Sequence, residues 1–325
     1  MRAKQNLRQA ITQQQPEYVP FRRLDGSIPG LYRFWYRGSR PVVQGETDRW
    51  GVIWAPGVPG GREWEPEIQG YPVYHPLKNL DDLSHYRFPD RPDPSLTNGL
   101  LDGVRRDEVL VSGELYFPLF DRAHLLMGVT ALFEAMLDRP DDVRELFRVI
   151  ADYQIAVIKQ YHQLGVDIVR FAEDYGGQNS LLISPSLWRS LVKPELARMF
   201  AVAKEQGALV WLHSCGHVME IIPDLIEIGL DILDPVQVQA NDQSAVKRLY
   251  GARLCIMGGI DTQHILARAT PDEVISEVRH RIALLGQGGG FILAPDTLIP
   301  VPEANYRAYL FAAERFGRYP LEAAT

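Results

Sequence analysis

From about residue 108 onward the chain alternates short apolar runs with longer stretches in which apolar residues recur every three or four positions. The runs V-L-V-S-G, D-I-V-R-F-A, A-L-V-W-L-H-S, D-I-L-D-P, R-L-C-I-M-G-G and G-F-I-L-A-P are short and bounded by turn residues, so they read as buried strands. Between and after them the periodicity predicts helices over 123–137, 140–164, 185–206, 217–229, 241–250, 271–286 and 302–316. Strands alternating with helices at this spacing make βαβ units and a parallel sheet. At the start, Leu7, Ala10 and Ile11 mark an amphipathic helix over 3–15 that Pro16 stops, followed by a short strand at 18–22. That makes seven strands. One more from the segment that follows would close a (β/α)8 barrel, and the lack of a glycine-rich dinucleotide fingerprint after the early strands argues against an open doubly wound sheet.

Residues 25–100 have a different texture, rich in Gly, Pro and aromatic residues (Trp35, Trp50, Trp54, Trp64, Tyr71, Tyr74), with little sustained period. A plain loop of that length inside a compact fold is implausible, so the segment reads as an elaborated arm with short hairpins, folded over the barrel. Its aromatics either line a pocket or bury the arm itself. Residues 1–325 thus form a single barrel domain with this aromatic-rich elaboration near its N-terminus.

Composition narrows the function. With 46% hydrophobic residues, 325 positions supply a substantial core. A net charge of -7 leaves no basic stripe for phosphates, which excludes nucleic acid as the main partner. Nothing approaches 18 consecutive apolar residues, and M-R-A-K-Q-N-L-R-Q-A lacks the apolar core of a signal peptide, so no membrane partner and a cytoplasmic location are expected. The two cysteines, Cys215 and Cys255, cannot make a disulfide framework and are expected as reduced thiols.

The chemistry gathers around A-L-V-W-L-H-S-C-G-H, residues 208–217. Side chains two apart on a strand share a face, so His213 and Cys215 can converge on one metal ion, and imidazole with thiolate suits Zn²⁺. A buried cysteine beside a hydrogen-bonded histidine would produce the same pair. In a barrel, active sites collect on the loops after the strands' C-terminal ends. Those loops carry Glu173, Asp174 and Gln178, then His213 and Cys215, then Asp234 and Gln237, then Gly259 and Asp261, then Asp296. Glu173, Asp174, Asp234 and Asp261 are the candidate catalytic carboxylates, and Gln178, Gln237 and Gly259 the candidate cofactor-binding positions. Asp261 and Asn241 could equally be helix caps. One histidine, one cysteine and several carboxylates have the makings of a catalytic zinc with a position left for substrate.

The segments W-L-H-S-C-G-H-V-M-E-I-I-P-D-L-I-E-I-G-L-D-I-L-D-P-V-Q, M-G-G-I-D-T-Q, G-G-G-F-I-L-A-P and F-A-E-D-Y-G-G-Q resemble the uroporphyrinogen decarboxylase superfamily, and the opening L-R-Q-A-I-T-Q-Q-Q-P-E-Y-V-P is similar to its N-terminal helix and first strand. The resemblance covers nearly the whole chain and implies a distorted (β/α)8 TIM barrel. Within the superfamily the H-x-C pair resembles the zinc ligands of corrinoid-dependent methyltransferases. His213 and Cys215 would then be zinc ligands, and the activity a methyl transfer between a methylated small molecule, methoxylated compounds included, or a thiol, and a corrinoid. With no D-x-H-x-x-G cobalamin pattern in the chain, the corrinoid is expected on a separate protein; a homodimer stays open.

Two departures qualify the resemblance. Thiol-methylating members take a third ligand, a cysteine, from the loop after the last strand, where this chain has Ala294, Pro295, Asp296 and Thr297. Asp296 is the expected replacement, with Glu173 or Asp174 as alternatives and Cys255 packed within its strand. The loss of that cysteine's negative charge favours Lewis acidity toward a methoxy oxygen. The decarboxylase's R-Q-A-G-R segment is absent, F-R-R-L-D-G-S-I-P-G standing in its place, and Arg22 and Arg23 read as solvated or salt-bridged ends. Tetrapyrrole decarboxylation and a non-catalytic metal- or small-molecule-binding barrel remain the competing readings.

Overall fold

In a computed structural model, residues 2–36, 47–56, 70–90 and 92–322 are described. The predicted alternation resolves into seven parallel strands hydrogen-bonded in the order β1 (Leu31–Trp35), β4 (Leu110–Tyr116), β5 (Ile168–Ala172), β6 (Leu209–His213), β7 (Ile232–Val236), β8 (Cys255–Ile260) and β9 (Phe291–Pro295). The sheet curls into a TIM-barrel-like wall. Beyond β9 the extended segment 18–22 continues it: Arg22 N–H donates to Leu293 O and Leu293 N–H to Pro20 O, both at 2.9 Å. The strand expected from residues 25–100 is β1, which pairs with β4 over its whole length. A separate antiparallel pair, β2 (Ile53–Pro56) and β3 (Gly70–Tyr74), belongs to the remainder of the arm.

Helices pack around the wall: α2 (Phe120–Met127), α3 (Val129–Asp138), α4 (Pro140–Gln163), α5 (Pro185–Leu187), α6 (Lys193–Glu205), α7 (Ile222–Glu227), α8 (Gln243–Tyr250), α9 (Pro271–Leu285) and α10 (Glu303–Phe316). The helix predicted over 123–137 is two helices, because Gly128 at φ +85° breaks it against the His75 ring. The one predicted over 185–206 contains a wide π turn at Trp188–Val192 between α5 and α6. The one predicted over 217–229 opens with a tight turn at Met219–Ile221 before α7.

The register stacks the barrel interior in storeys. Glu114, Arg170, Trp211 and Ile232 share one level, and Tyr116, Ala172, His213 and Asp234 the next. Below them α1 (Ala3–Ile11) closes the end of the barrel away from the loops discussed next. Its Leu7 and Ile11 join Leu110, Ile168, Trp211, Ile232, Met257 and Ile292 in one apolar plug. Buried Asn6 keeps α1 in place: its Oδ1 accepts the N–H groups of Glu17 and Tyr18, and its Nδ2 donates to Tyr18 O.

In the arm, Trp50 and Trp54 are 2% exposed, which decides between lining and burial: they anchor the arm. Asp48 accepts from the N–H groups of Trp50 and Val52, the indole of Trp54 and the guanidinium of Arg122 on α2. Trp35 is half-buried against Tyr116, Tyr71 and Tyr74 are exposed, and Trp64 lies outside the described residues.

Candidate metal centre at the barrel mouth

β6 ends at His213, so Cys215 lies on the loop beyond it rather than on the strand itself. The two side chains nevertheless converge, Cys215 Sγ 3.5 Å from His213 Nε2. The loop is held atom by atom. Ser214 N–H donates to Asp234 O at 2.7 Å, and Cys215 N–H to Asp174 Oδ1 at 2.7 Å. Gly216 N–H donates to Gln237 Oε1 at 2.5 Å, and Asn241 Nδ2 to Gly216 O at 2.9 Å. Gly216 has φ +78°, and a Cβ there would overlap the backbone of Gly176, so the E-D-Y-G-G-Q and H-S-C-G-H loops fit together only as glycine against glycine.

Asp174 completes the cluster. One ligand atom each from Asp174, His213 and Cys215 lie within 4.8 Å of one another, with Asp174 Oδ1 4.0 Å from His213 Nε2. Of the three carboxylates that the sequence offers as remaining ligand, this one stands beside the pair. Asp296 lines the same cavity, but its Oδ1 accepts the Thr262 N–H at 3.1 Å; burial pushes its pKa upward. Glu173 also lines the cavity, but its carboxylate is taken up by backbone donors. It is 1% exposed and accepts the N–H groups of Leu119, Phe120 and Asp121 at the start of α2. Burial lifts Glu173 to about 8 against the pull of those donors. Asp121, buried beside it, is raised well above the carboxylate range by the same desolvation and then by the charge of Glu173.

His213 is fixed from behind. Its Nδ1 lies 3.0 Å from Oδ2 of Asp234, a carboxylate with no solvent exposure. Burial opposes a charge on His213, but the sulfur of Cys215 and the carboxylate of Asp234 outweigh it, and its pKa is pushed up to about 10. Burial likewise penalises a charged Asp234, yet His213, Arg22 and Arg170 hold its carboxyl well below the usual range. Arg170 reaches Asp234 at 3.4 Å and Glu114 at 3.0 Å, and Arg33 grips both oxygens of Glu114 at 2.7 Å. Of the two arginines read from sequence as solvated or salt-bridged ends, Arg22 is salt-bridged, 7% exposed inside the barrel, 3.8 Å from Asp234 and donating to Pro295 O, and Arg23 is exposed.

The remaining candidates serve the frame. Asp261 caps the turn at Thr262–Leu266 and accepts from Gln239, Gln237 supports the cysteine loop, and Gln178 is exposed, its Nε2 3.5 Å from Gln239 O. Gly259, φ +103°, sits against Phe291 and Leu285, outside the mouth. Cys255 is fully buried in the apolar plug, with burial raising its thiol to about 12.

Sequence reasoning missed Glu114 and Arg170. Their signal was there: each interrupts an apolar strand run, and each has the inward parity of its strand's mouth residue, Tyr116 or Ala172. Above this level the mouth opens into a cavity of about 570 Å³, walled by Tyr32, Tyr116, Phe117 and Leu298 and reached by His213, Cys215 and Asp174. Nitrogen, sulfur and oxygen donors facing such a space fit a zinc ion with three protein ligands and one position turned to substrate. The carboxylate on the far nitrogen of the histidine is the usual outer support of such a site.

An α/β barrel with a mixed-donor cluster in its mouth is the class that this fold and site define. The chain belongs to the uroporphyrinogen decarboxylase (URO-D) family, whose profile matches residues 64–316. A methyltransferase from Methanosarcina mazei is similar over 97% of this chain and 99% of its own, at 18% identity and a TM-score of 0.71, a likeness of fold. A dihydropteroate synthase from Anaplasma phagocytophilum, solved with bound 6-hydroxymethylpterin-monophosphate, covers 57% of this chain and 66% of its own at 16% identity; its TM-score of 0.36 is too low to bear on function. No curated protein sequence matches the chain. Among the described residues no helix is long and apolar enough to cross a membrane.

Proposed function

We propose that this chain is a zinc-dependent methyltransferase that moves a methyl group between a methylated small molecule and a corrinoid carried on a separate protein. The observation that carries the reading is the Asp174, His213 and Cys215 cluster in the mouth of a cavity large enough for a small organic molecule. The family and the fold shared with a Methanosarcina methyltransferase support it. Zinc held there supplies Lewis acidity toward a methoxy oxygen, or holds a thiol acceptor as its thiolate.

The chain's own residues do the rest. Asp234 on Nδ1 fixes the ring of His213 so that Nε2 faces the cluster. Cys215 brings a sulfur donor and Asp174 a carboxylate, and the latter also holds the Cys215 N–H, tying two ligands to each other. The apolar and aromatic wall of Tyr32, Tyr116, Phe117 and Leu298 takes the organic body of the substrate and excludes water.

Two measurements test this. Elemental analysis is expected to find about one zinc per chain in the purified protein, and far less in folded H213A and C215A; equal zinc in all three refutes the metal assignment. Methyl transfer from a methoxylated donor is expected only when a corrinoid protein is added to the zinc-loaded chain. Turnover with neither free nor protein-bound corrinoid rules out the partner.

A further inference from the structure

We infer that Arg170, in the middle of β5, is a positioning residue for the metal centre: its forked guanidinium holds Asp234 against His213 and so sets the direction of His213 Nε2. The inference rests on the zinc reading above and adds to it a residue of the cavity's floor that is not itself one of the three clustered donors.

The geometry is specific. Nη1 of Arg170 lies 3.0 Å from Glu114 Oε2 on the neighbouring strand, and Nη2 lies 3.4 Å from Asp234 Oδ2, the same oxygen that faces His213 Nδ1 at 3.0 Å. The guanidinium is 4.9 Å above the centre of the Trp211 ring, which fixes its plane from below. Glu114 is clamped in turn by Arg33 through two 2.7 Å bonds. Arg33, Glu114, Arg170, Asp234 and His213 all belong to strands, whose backbones are held by the sheet ladder, so the chain from Arg33 to His213 has little freedom to relax. Arg22 approaches Asp234 from the other side, but at 3.8 Å and with another bond to Pro295 O, so it supplies charge more than direction.

A lysine cannot replace this function fully. It offers one compact charge on a flexible stem, whereas the arginine fork addresses two carboxylates at once in a fixed plane. With Arg170 lost, the fully buried Asp234 keeps only Arg22 and His213 and is free to turn. The histidine ring would turn with it, because ligand orientation is set by the partner on its far nitrogen.

The test uses the full-length protein stripped of metal and titrated with zinc against a chromophoric chelator, and in parallel loaded with Co²⁺, whose visible spectrum reports ligand geometry. Wild type, R170M, R170K and C215A are compared, with melting temperatures for all. R170M is expected to bind zinc roughly 10- to 100-fold more weakly, the usual effect of an outer-shell change, and to show an altered cobalt spectrum. R170K is expected between R170M and wild type. A folded R170M with wild-type zinc affinity and cobalt spectrum, its melting temperature alone lowered, overturns the inference and leaves Arg170 a structural ion-pair residue. Should R170M fail to fold, R170K decides: weakened zinc with a changed spectrum supports the role, and wild-type values overturn it. C215A keeps the two failures apart, since zinc binding insensitive to C215A defeats the zinc reading itself before any arginine variant is considered.

Discussion

Asp174 and Asp296 are two mouth carboxylates with different work. Asp174 is 47% exposed in its side chain and stands beside His213 and Cys215, whereas Asp296 is buried and occupied by the Thr262 N–H. D174N is therefore expected to weaken zinc at least about tenfold with little change in melting, as removing a charge beside a dication should. D296N keeps an acceptor for Thr262 and is expected to cost no more than about 1 kcal/mol, the worth of one hydrogen bond, and to leave zinc untouched. Chelator competition and thermal melts on the same samples check both, and the reverse pattern would return the ligand to the last loop. The nearness of His213 and Cys215 was legible from their two-residue spacing, although β6 ends at His213 and the cysteine stands on the loop beyond it. The nearness of Asp174 to the pair was less legible, since it depends on how far the loop after β5 leans across to the loop after β6, where Gly176 and Gly216 meet. That Arg22 rather than Arg23 is the salt-bridged one was not legible for a related reason: its partner Asp234 is more than two hundred residues away, and nothing in F-R-R marks which arginine turns inward.

Among the elements, α1 was read as an amphipathic helix over 3–15 and is one, but it ends at Ile11, and its place was invisible until the barrel existed. Its apolar residues Leu7 and Ile11 do not pack on the outside of a strand; they seal the end of the barrel. Leu7→Ala should consequently cost roughly 2–5 kcal/mol, as for a fully enclosed leucine, with zinc affinity unchanged at temperatures where the variant is folded. Denaturant unfolding followed by a metal titration measures the two separately; weakened zinc in the folded variant would contradict the separation of the two ends. The strands and most helices were legible from period alone. The break at Gly128 was not, because a lone glycine in a helical pattern ends it only if the backbone there must turn, and His75 from the arm is what occupies the space beyond.

For the molecule as a whole, one half-buried imidazole, His124, should contribute to the loss of stability in acid. Burial first, then the positive charges of His75 and Arg122, push the pKa of His124 down to about 4. Asp121 lies 3.5 Å away with its own pKa raised by burial, and the pull of Asp174 on the ring does not offset the burial. A depressed histidine contributes stability that is present above its unfolded value of about 6.5 and lost as pH falls through about 4, because the unfolded chain then binds a proton that the native state refuses. The loss attributable to this group is at most on the order of 3 kcal/mol between pH 7 and 4. Melting temperature recorded across that range should fall for wild type and fall less steeply for H124N; parallel curves would exclude His124 as the group responsible.

The storeys of the barrel have one more consequence, which concerns how the family's chemistry can vary. Melting behaviour is vested in the α1 plug and the apolar level above it, and reactivity in side chains at the opposite rim, with a level of paired charges between. On the zinc reading proposed above, the last loop, with Ala294 to Thr297, need not supply a ligand, because Asp174 stands beside His213 and Cys215 from the loop after β5. On that reading the donor set is decided at the rim, separately from the packing beneath it.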